Sequence, residues 1–335
     1  MMISILEAGY SAPRRQPCNE TLHLTEAQYS LCQQDANVLT FITAGMFLSL
    51  AQCQHQFLEE RWNCTTESFV LLHSKGTKES AFIYSLTNAA VAHSVSRACS
   101  QGNLTICSCA NLKAGRKKRQ RRDDVEYEAS EWTWGGCSDN VNFGVKFSQK
   151  FIDEQPKDLK NTSFGAESMA VLHNSKMGRK VVLQTTETKC RCHGPSSTCV
   201  VKTCWRSLAT FTSIGDKLKQ MYEESAVQVF KRRRNKLKPI DKSIEKRSLK
   251  VNSLVYLFRS PDFCVKHPDL GLRGVTGRQC NKTGVDVNSC RSLCCGRGYN
   301  TQLLEETVNC NCQFHWCCFV TCDKCAVTKE MYTCK

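Results

Sequence analysis

Apolar residues recur at helical spacing through the first two thirds of the chain. Between Thr77 and Cys99, Phe82, Ile83, Leu86, Ala89, Ala90, Val91 and Val95 are apolar on most sides of a helix that Thr77 is placed to cap, which predicts a buried central helix. The run "VLTFITAGMFLSLA" (38–51) falls short of the roughly 20 residues a membrane-spanning helix needs and contains polar positions, so it reads as another core helix. Phe143, Phe147 and Phe151 recur every four residues, a core stripe. Further helical patterns cover 166–182 and 206–226, the latter with Leu208, Phe211, Leu218 and Tyr222 on one side. Towards the carboxy terminus the period changes. "PDFC", "CCGRGYN" and "CNCQFHWCCFVTCDKC" alternate short β-prone runs with Cys, Gly and Asn, as expected of hairpins held by disulfides. The pattern predicts a disulfide-rich α+β protein: a mainly helical domain over 1–230, a basic linker over 231–257 and a cysteine-rich domain of β-hairpins over 258–335.

Composition places this fold outside the cytosol. The chain has 335 residues and 24 cysteines, an even and very high count that makes sense where thiols oxidise to cross-links. Half of them lie between Cys264 and Cys334. Five N-x-S/T triplets, at Asn19, Asn63, Asn103, Asn161 and Asn281, are candidate N-glycosylation sites and agree with a secretory route. "MMISILEAGYSAPRRQPCNE" offers only a fragment of a signal peptide, and the expectation is that the leader is missing from this sequence.

The net charge of +15 sits in two places. "KAGRKKRQRR" (113–122) contributes +7 and "KRRRNKLKPIDKSIEKRSLK" (231–250) contributes +8, which leaves the rest of the chain near neutral. Neither segment has an aromatic residue to stack a base, which argues against nucleic acid. Solvated loops are the first reading, and heparan sulfate outside the cell is the polyanion to test. Arg116-Lys117-Lys118-Arg119 and Arg119-Gln120-Arg121-Arg122 also look like secretory-protease sites.

The densest chemistry is "CRCHGPSSTC" (190–199). Cys190, Cys192, His193 and Cys199 are soft metal ligands, as are Cys322 and Cys325, but the C-x-C spacing and the surplus of cysteines favour disulfides over zinc. Ser196 follows His193 by three residues, yet G-P-S-S-T lacks the second glycine of a nucleophile elbow. Presentation is the third reading. Were Cys192 bonded to Cys199 and Cys190 to Cys204, nested bridges worth about 3 kcal/mol each would hold a rigid hairpin with Pro195 to Thr198 at its tip.

Five motifs in order give the chain a resemblance to the Wnt family: "CQHQFLEERWNCTT" (53–66), "WGGCSDN" (134–140), "CRCHGPSSTCVVKTCW" (190–205), "CCGRGYN" (294–300) and "CQFHWCCFVTCDKC" (312–325). The resemblance implies a helical domain with a lipid-bearing hairpin and a cysteine-rich domain, together gripping the cysteine-rich domain of Frizzled receptors. It implies the pairs Cys53 with Cys64, Cys99 with Cys107, Cys109 with Cys137, Cys190 with Cys204 and Cys192 with Cys199. In the second domain it implies Cys264 with Cys295, Cys280 with Cys290, Cys294 with Cys334, Cys310 with Cys325 and Cys312 with Cys322. Cys317 and Cys318 would form a vicinal bridge at a second contact tip beside Phe314, Trp316 and Phe319, and Cys18 and Cys32 remain to pair.

The family's acylated serine falls on Ser196, with Ser197 as the alternative because Pro195 precedes and Ser197-Thr198 follow where the family usually has an aliphatic residue and Ser-Gly-Ser. The resemblance makes the enzyme Porcupine the donor of a covalent palmitoleate and Wntless the carrier, with Frizzled and low-density-lipoprotein-receptor-related co-receptors as targets. No cofactor or metal is expected, and no catalytic residue. A chain of about sixteen carbons at ~0.8 kcal/mol per buried CH2 is worth on the order of 10 kcal/mol, enough to dominate receptor affinity. The leading expectation is a secreted, lipid-modified ligand of the extracellular space and matrix. The alternative is a non-acylated antagonist of the same fold held on heparan sulfate. A serine hydrolase using His193 and Ser196 is the third class.

Overall fold

The computed structural model describes residues 24–35, 37–111, 132–154, 165–195, 199, 201–232, 236–241 and 253–335. The chain divides into two units, Met1–Gln56 with Phe69–Ser260 and Phe57–Ser68 with Pro261–Lys335.

The first unit is organised on one helix. Its helices are α1 (Glu26–Gln33), α2 (Val38–Gln56), α4 (Lys78–Ser100), α5 (Val141–Ile152), α6 (Gly165–Gln184) and α7 (Phe211–Ser225); the short α3 (Thr66–Leu72) spans the point where the chain passes between units. Thr77 caps α4 through a capping box with Ser80, and Glu79 in the first turn and Arg97 in the last complement the helix dipole. Phe82, Ile83, Leu86, Ala89, Ala90, Val91 and Val95 are all fully buried, because α2, α5, α6 and α7 pack around α4. Small residues set how closely they approach: a side chain at Gly144 would strike Ala92 O and Ser96 Oγ, and one at Gly178 would strike the Ser85 carbonyl.

Phe143, Phe147 and Phe151 stack along α5 with centroids 6.2 and 5.9 Å apart, and the latter two are buried. Where α4, α5 and α6 meet, the buried Arg179 donates from Nη1 to Asn88 Oδ1 (2.6 Å) and Asp153 Oδ1 (2.9 Å), and from Nη2 to Asp153 Oδ2 (2.6 Å). Each charge removed from water therefore has a charged and hydrogen-bonded partner. Among the described residues, no single helix is long and apolar enough to cross a membrane.

Two small sheets complete this unit. β1 (Trp132–Trp134) runs parallel to β3 (Val201–Ser207), which pairs antiparallel with β2 (Glu187–His193), giving the order β1-β3-β2. Arg206 and Ser207 thus belong to a strand, opposite Thr188 and Glu187, and the helical pattern read from 206 begins at Phe211, where Thr210 supplies the cap. The second sheet has the order β5-β4-β6, formed by β4 (Val227–Arg232), β5 (Lys236–Pro239) and β6 (Val255–Tyr256). Val229 and Val255 bury against Ala170 of α6. Asn174 closes the joint by donating Nδ2 to Val255 O (2.8 Å) and accepting Val255 N–H (2.9 Å). The described parts of the segment read as a linker are therefore folded into the first unit.

The second unit has a small core of Val275, Cys280, Cys290, Leu293, Cys294 and Cys334. Residues 57–68, read from sequence as part of the helical domain, join it because Arg278 donates to the carbonyls of Leu58, Glu60 and Arg61, and Arg61 donates to Ser292 O. Trp62 packs against Phe57 and Phe263 and donates Nε1–H to Ser68 Oγ (3.0 Å). From this core rises a long hairpin, β8 (Tyr299–His315) with β9 (Phe319–Cys334), joined on the far edge of β9 by the short β7 (Gln279–Cys280); α8 (Cys290–Leu293) packs beneath.

Candidate functional site

The β2–β3 hairpin carries the "CRCHGPSSTC" stretch. Cys190 and Cys204 face each other in register and are bridged with Cα atoms 4.0 Å apart; nearer the tip, Cys192 is bridged to Cys199 at 4.7 Å. Every residue of β2 is exposed, so ladder hydrogen bonds and two covalent rungs hold it to β3, which buries Cys204. Ser196 and Ser197 lie outside the described residues, as does Thr198, between the described Pro195 and Cys199.

The base of this hairpin shows what "WGGCSDN" does. Gly135 N–H donates to Cys204 O (3.0 Å), and a side chain at Gly135 would collide with Thr203 Cγ2. Cys137 is bridged to Cys109. Ser138 Oγ accepts from Arg206 N (3.0 Å), while Asp139 Oδ2 accepts from Leu208 N (2.8 Å) and Oδ1 from Ser100 Oγ. Asn140 caps α5. Ser138 and Asp139 are positioning residues that sequence reasoning missed. The signal was their place in a quoted motif, but nothing local says that two short side chains reach a strand 68 and 69 residues away.

The second tip closes β8–β9. Phe314 pairs with Val320 and His315 with Phe319, leaving Trp316, Cys317 and Cys318 as the turn. Phe314 is 70%, Trp316 92% and Phe319 57% exposed, an apolar surface left uncovered by the described residues. His315 stacks on Phe319 (centroids 4.8 Å) and its Nε2 lies 2.7 Å from Thr321 Oγ1. Bridges Cys310–Cys325 and Cys312–Cys322 staple the stem, the second within the irregularity between Cys310 and Gln313.

The bridge implied between Cys317 and Cys318 is corrected by the structure. Both are exposed thiols with Sγ atoms 3.5 Å apart, well beyond the ~2.05 Å of a disulfide. Adjacent cysteines close a ring of eight atoms, and the turn, with φ of 77° and 98° at these two residues, does not bring the sulfurs to bonding distance.

Five further implied pairs, Cys99–Cys107, Cys109–Cys137, Cys264–Cys295, Cys280–Cys290 and Cys294–Cys334, are bonded. Cys32, Cys53 and Cys64 are disulfide-bonded as well, and Cys18 lies outside the described residues. The sulfurs of Cys190, Cys192, Cys199, Cys322 and Cys325, weighed above as metal ligands, are therefore occupied in bridges. So are those of Cys280, Cys290 and Cys294, which cluster within 4.8 Å. His193 is exposed at the end of β2, with no base or acid arranged around it among the described residues.

Of the candidate glycosylation sites, Asn103 and Asn281 are exposed and Asn63 is half-buried, while Asn19 and Asn161 lie outside the described residues. Asn281 Oδ1 accepts from Thr283 N (3.1 Å) and Oγ1 (3.2 Å), folding its own triplet into a turn at the surface. Most of the two basic segments, and both paired-basic sites, also lie outside the described residues.

The comparisons agree with this geometry. The Wnt family model matches residues 20–335. Wnt-16 of Mus musculus is 38% identical across 98% of this chain and 90% of its own length, and Wnt-2b of Homo sapiens 38% across 95% and 79%. Among solved structures, that of human WLS in complex with WNT8A contains a similar chain, with a TM-score of 0.59 and 32% identity over 88% of this chain and 93% of that one. A match along nearly the whole length leaves one conclusion: the chain belongs to the Wnt family.

Proposed function

We propose that the chain is a lipid-modified signalling ligand, acylated on Ser196 with Ser197 as the alternative acceptor, that binds the cysteine-rich domain of Frizzled receptors. Wnt proteins are secreted signalling ligands of development, and this chain shares their framework along almost its full length. The observation that carries the finer reading is the doubly bridged hairpin. Cys190–Cys204 and Cys192–Cys199 pin the two strands on either side of the stretch that carries the serines, and β2 is exposed along its length. An acyl chain there inserts into an apolar groove without a large entropic cost, because its mount is already ordered. The exposed Phe314, Trp316 and Phe319 tip supplies a separate apolar contact.

The other partners follow from the lipid. An exposed acyl chain makes the free protein insoluble, so export needs a shielding carrier of the Wntless type, and the structural similarity to WNT8A bound to WLS supports one. Porcupine is the proposed acyltransferase, low-density-lipoprotein-receptor-related proteins the co-receptors, and heparan sulfate the matrix partner of the basic segments. The test is affinity for a Frizzled cysteine-rich domain. Ser196→Ala combined with Ser197→Ala is expected to lose at least about a thousandfold if most of the buried chain's contribution goes with it. Unchanged affinity in the double variant would refute the reading.

A further inference from the structure

The tip of β8–β9 has a single side chain that gains charge in acid. Between Thr307 and Cys322 the chain has no Asp, Glu, Lys or Arg, and His315 is the one histidine. The register puts His315 at the last pair of the ladder, opposite Phe319, while Phe314 and Val320 share the other face. His315 is exposed, and its ring lies nearly flat on Phe319, with 15° between the planes and centroids 4.8 Å apart. The imidazole is therefore part of the apolar surface that Phe314, Trp316 and Phe319 present.

The surroundings accept either charge state while the tip stays in water. His315 Nε2 lies 2.7 Å from Thr321 Oγ1, and a hydroxyl serves an imidazole nitrogen as donor or acceptor. The face of an aromatic ring such as Phe319 attracts a cation. The thiols of Cys317 and Cys318 stand in the turn, and thiols titrate on the alkaline side of neutrality. The nearest charges are Asp323, which accepts from Asn311 Nδ2 (3.3 Å), and Lys324, which donates to Asn309 Oδ1 (2.6 Å). Asp323 lies about 13 Å down β9 from Phe319, too far to pair with an imidazolium at the tip. Docking reverses the balance. An apolar pocket that takes Phe319 takes the stacked imidazole out of water with it, and a charge buried without a partner is strongly unfavourable.

We propose that the second tip is an acid-released contact: its docked form holds His315 neutral, and protonation of His315 drives the tip out of the pocket. This rests on the Frizzled contact proposed above and adds its regulation, with binding in a neutral extracellular space and release in an acidified compartment. The free tip binds a proton that the docked tip does not. Affinity therefore falls as pH drops below the ordinary imidazole value of ~6.5, by about tenfold at one unit below it.

The test is the dissociation rate of the full secreted chain from an immobilised Frizzled cysteine-rich domain at pH 7 and at about pH 5.5, one unit below the imidazole value. The wild type is expected to leave about tenfold faster at the lower pH. His315→Gln, uncharged at both, should leave slowly at both, and His315→Lys, charged at both, should leave fast at both. Opposite shifts from two polar replacements separate charge from misfolding. Equal wild-type rates at the two pH values would overturn the proposal and leave the Frizzled reading standing. So would an acid acceleration that persists in His315→Gln, or a His315→Lys variant that leaves as slowly as the wild type at pH 7. No binding by the wild type at either pH would overturn both readings.

Discussion

The helix α4 and the hairpin β8–β9 are the longest elements of their units and are stabilised in opposite ways. Almost every residue of α4 is buried, down to Ser85, Thr87 and Asn88, whereas β8 has no fully buried residue along its 17 positions. The first depends on apolar area removed from water and on packed shape. The second has no such reservoir and depends on ladder hydrogen bonds and the Cys310–Cys325 and Cys312–Cys322 bridges. The β2–β3 hairpin repeats the second solution within the first unit. Both exposed hairpins are thus stapled ribbons, each within its own unit, where exposure costs no core.

Breaking the core should have the largest effect. Phe82→Ala removes a fully buried ring from α4 and is expected to cost about 3–5 kcal/mol, read as a lowered denaturation midpoint of the whole first unit. Removing a staple should cost less and act locally. Cys310→Ser with Cys325→Ser opens a loop with sequence separation 15, worth about 3 kcal/mol. Amide exchange should rise along β8 and β9 while α4 stays protected; equal loss in α4 would contradict the division.

Smaller still is the effect at the hairpin base. Asp139→Asn weakens the acceptor of Leu208 N–H and Ser100 Oγ–H, and an expected ~1–2 kcal/mol should appear as faster exchange near Leu208 with the α4 core unaffected.

Acid should also distinguish the two regions. Burial pushes His93 and His173 below the ordinary imidazole value, and the carbonyls of Ala209 and Ser253 offset this only in part. The unfolded chain therefore binds protons at these sites before the folded one does. Stability is present above the unfolded value of ~6.5 and is lost as pH falls from there towards the depressed folded values. The midpoint of the first unit should fall between pH 7 and pH 5, and His93→Gln with His173→Gln should make that slope shallower.

The smallest effect is expected from scission. A site-specific protease sequence placed at 116–122 and cut should leave one species on a non-reducing gel and two after reduction, since Cys109–Cys137 spans the cut.

How much of this was legible in the sequence follows the same division. The α4 helix could be read with its cap because the signals are local: Thr77, the capping-box partner Ser80 and an apolar period. The disulfide framework was legible only through the family resemblance, since spacing alone does not choose among pairings. Arg206 and Ser207 were read as helical because the register that makes them a strand is set by Glu187 and Thr188, about twenty residues away. The attachment of 57–68 to the second unit was hidden for a similar reason, as it depends on the Arg278 guanidinium finding three distant carbonyls. At the second tip Phe314, Trp316 and Phe319, named through the resemblance as contact residues, are exposed, while the implied bond between Cys317 and Cys318 is not formed, because adjacency in sequence does not fix the distance between sulfurs.

The most direct test of the central claim is the mass of the peptide spanning 190–204, isolated without reduction from secreted, signalling-competent protein. The account predicts one palmitoleoyl group, lost in Ser196→Ala or shifted to Ser197, with the Cys190–Cys204 and Cys192–Cys199 bridges intact. An unmodified peptide from protein that still signals would contradict it.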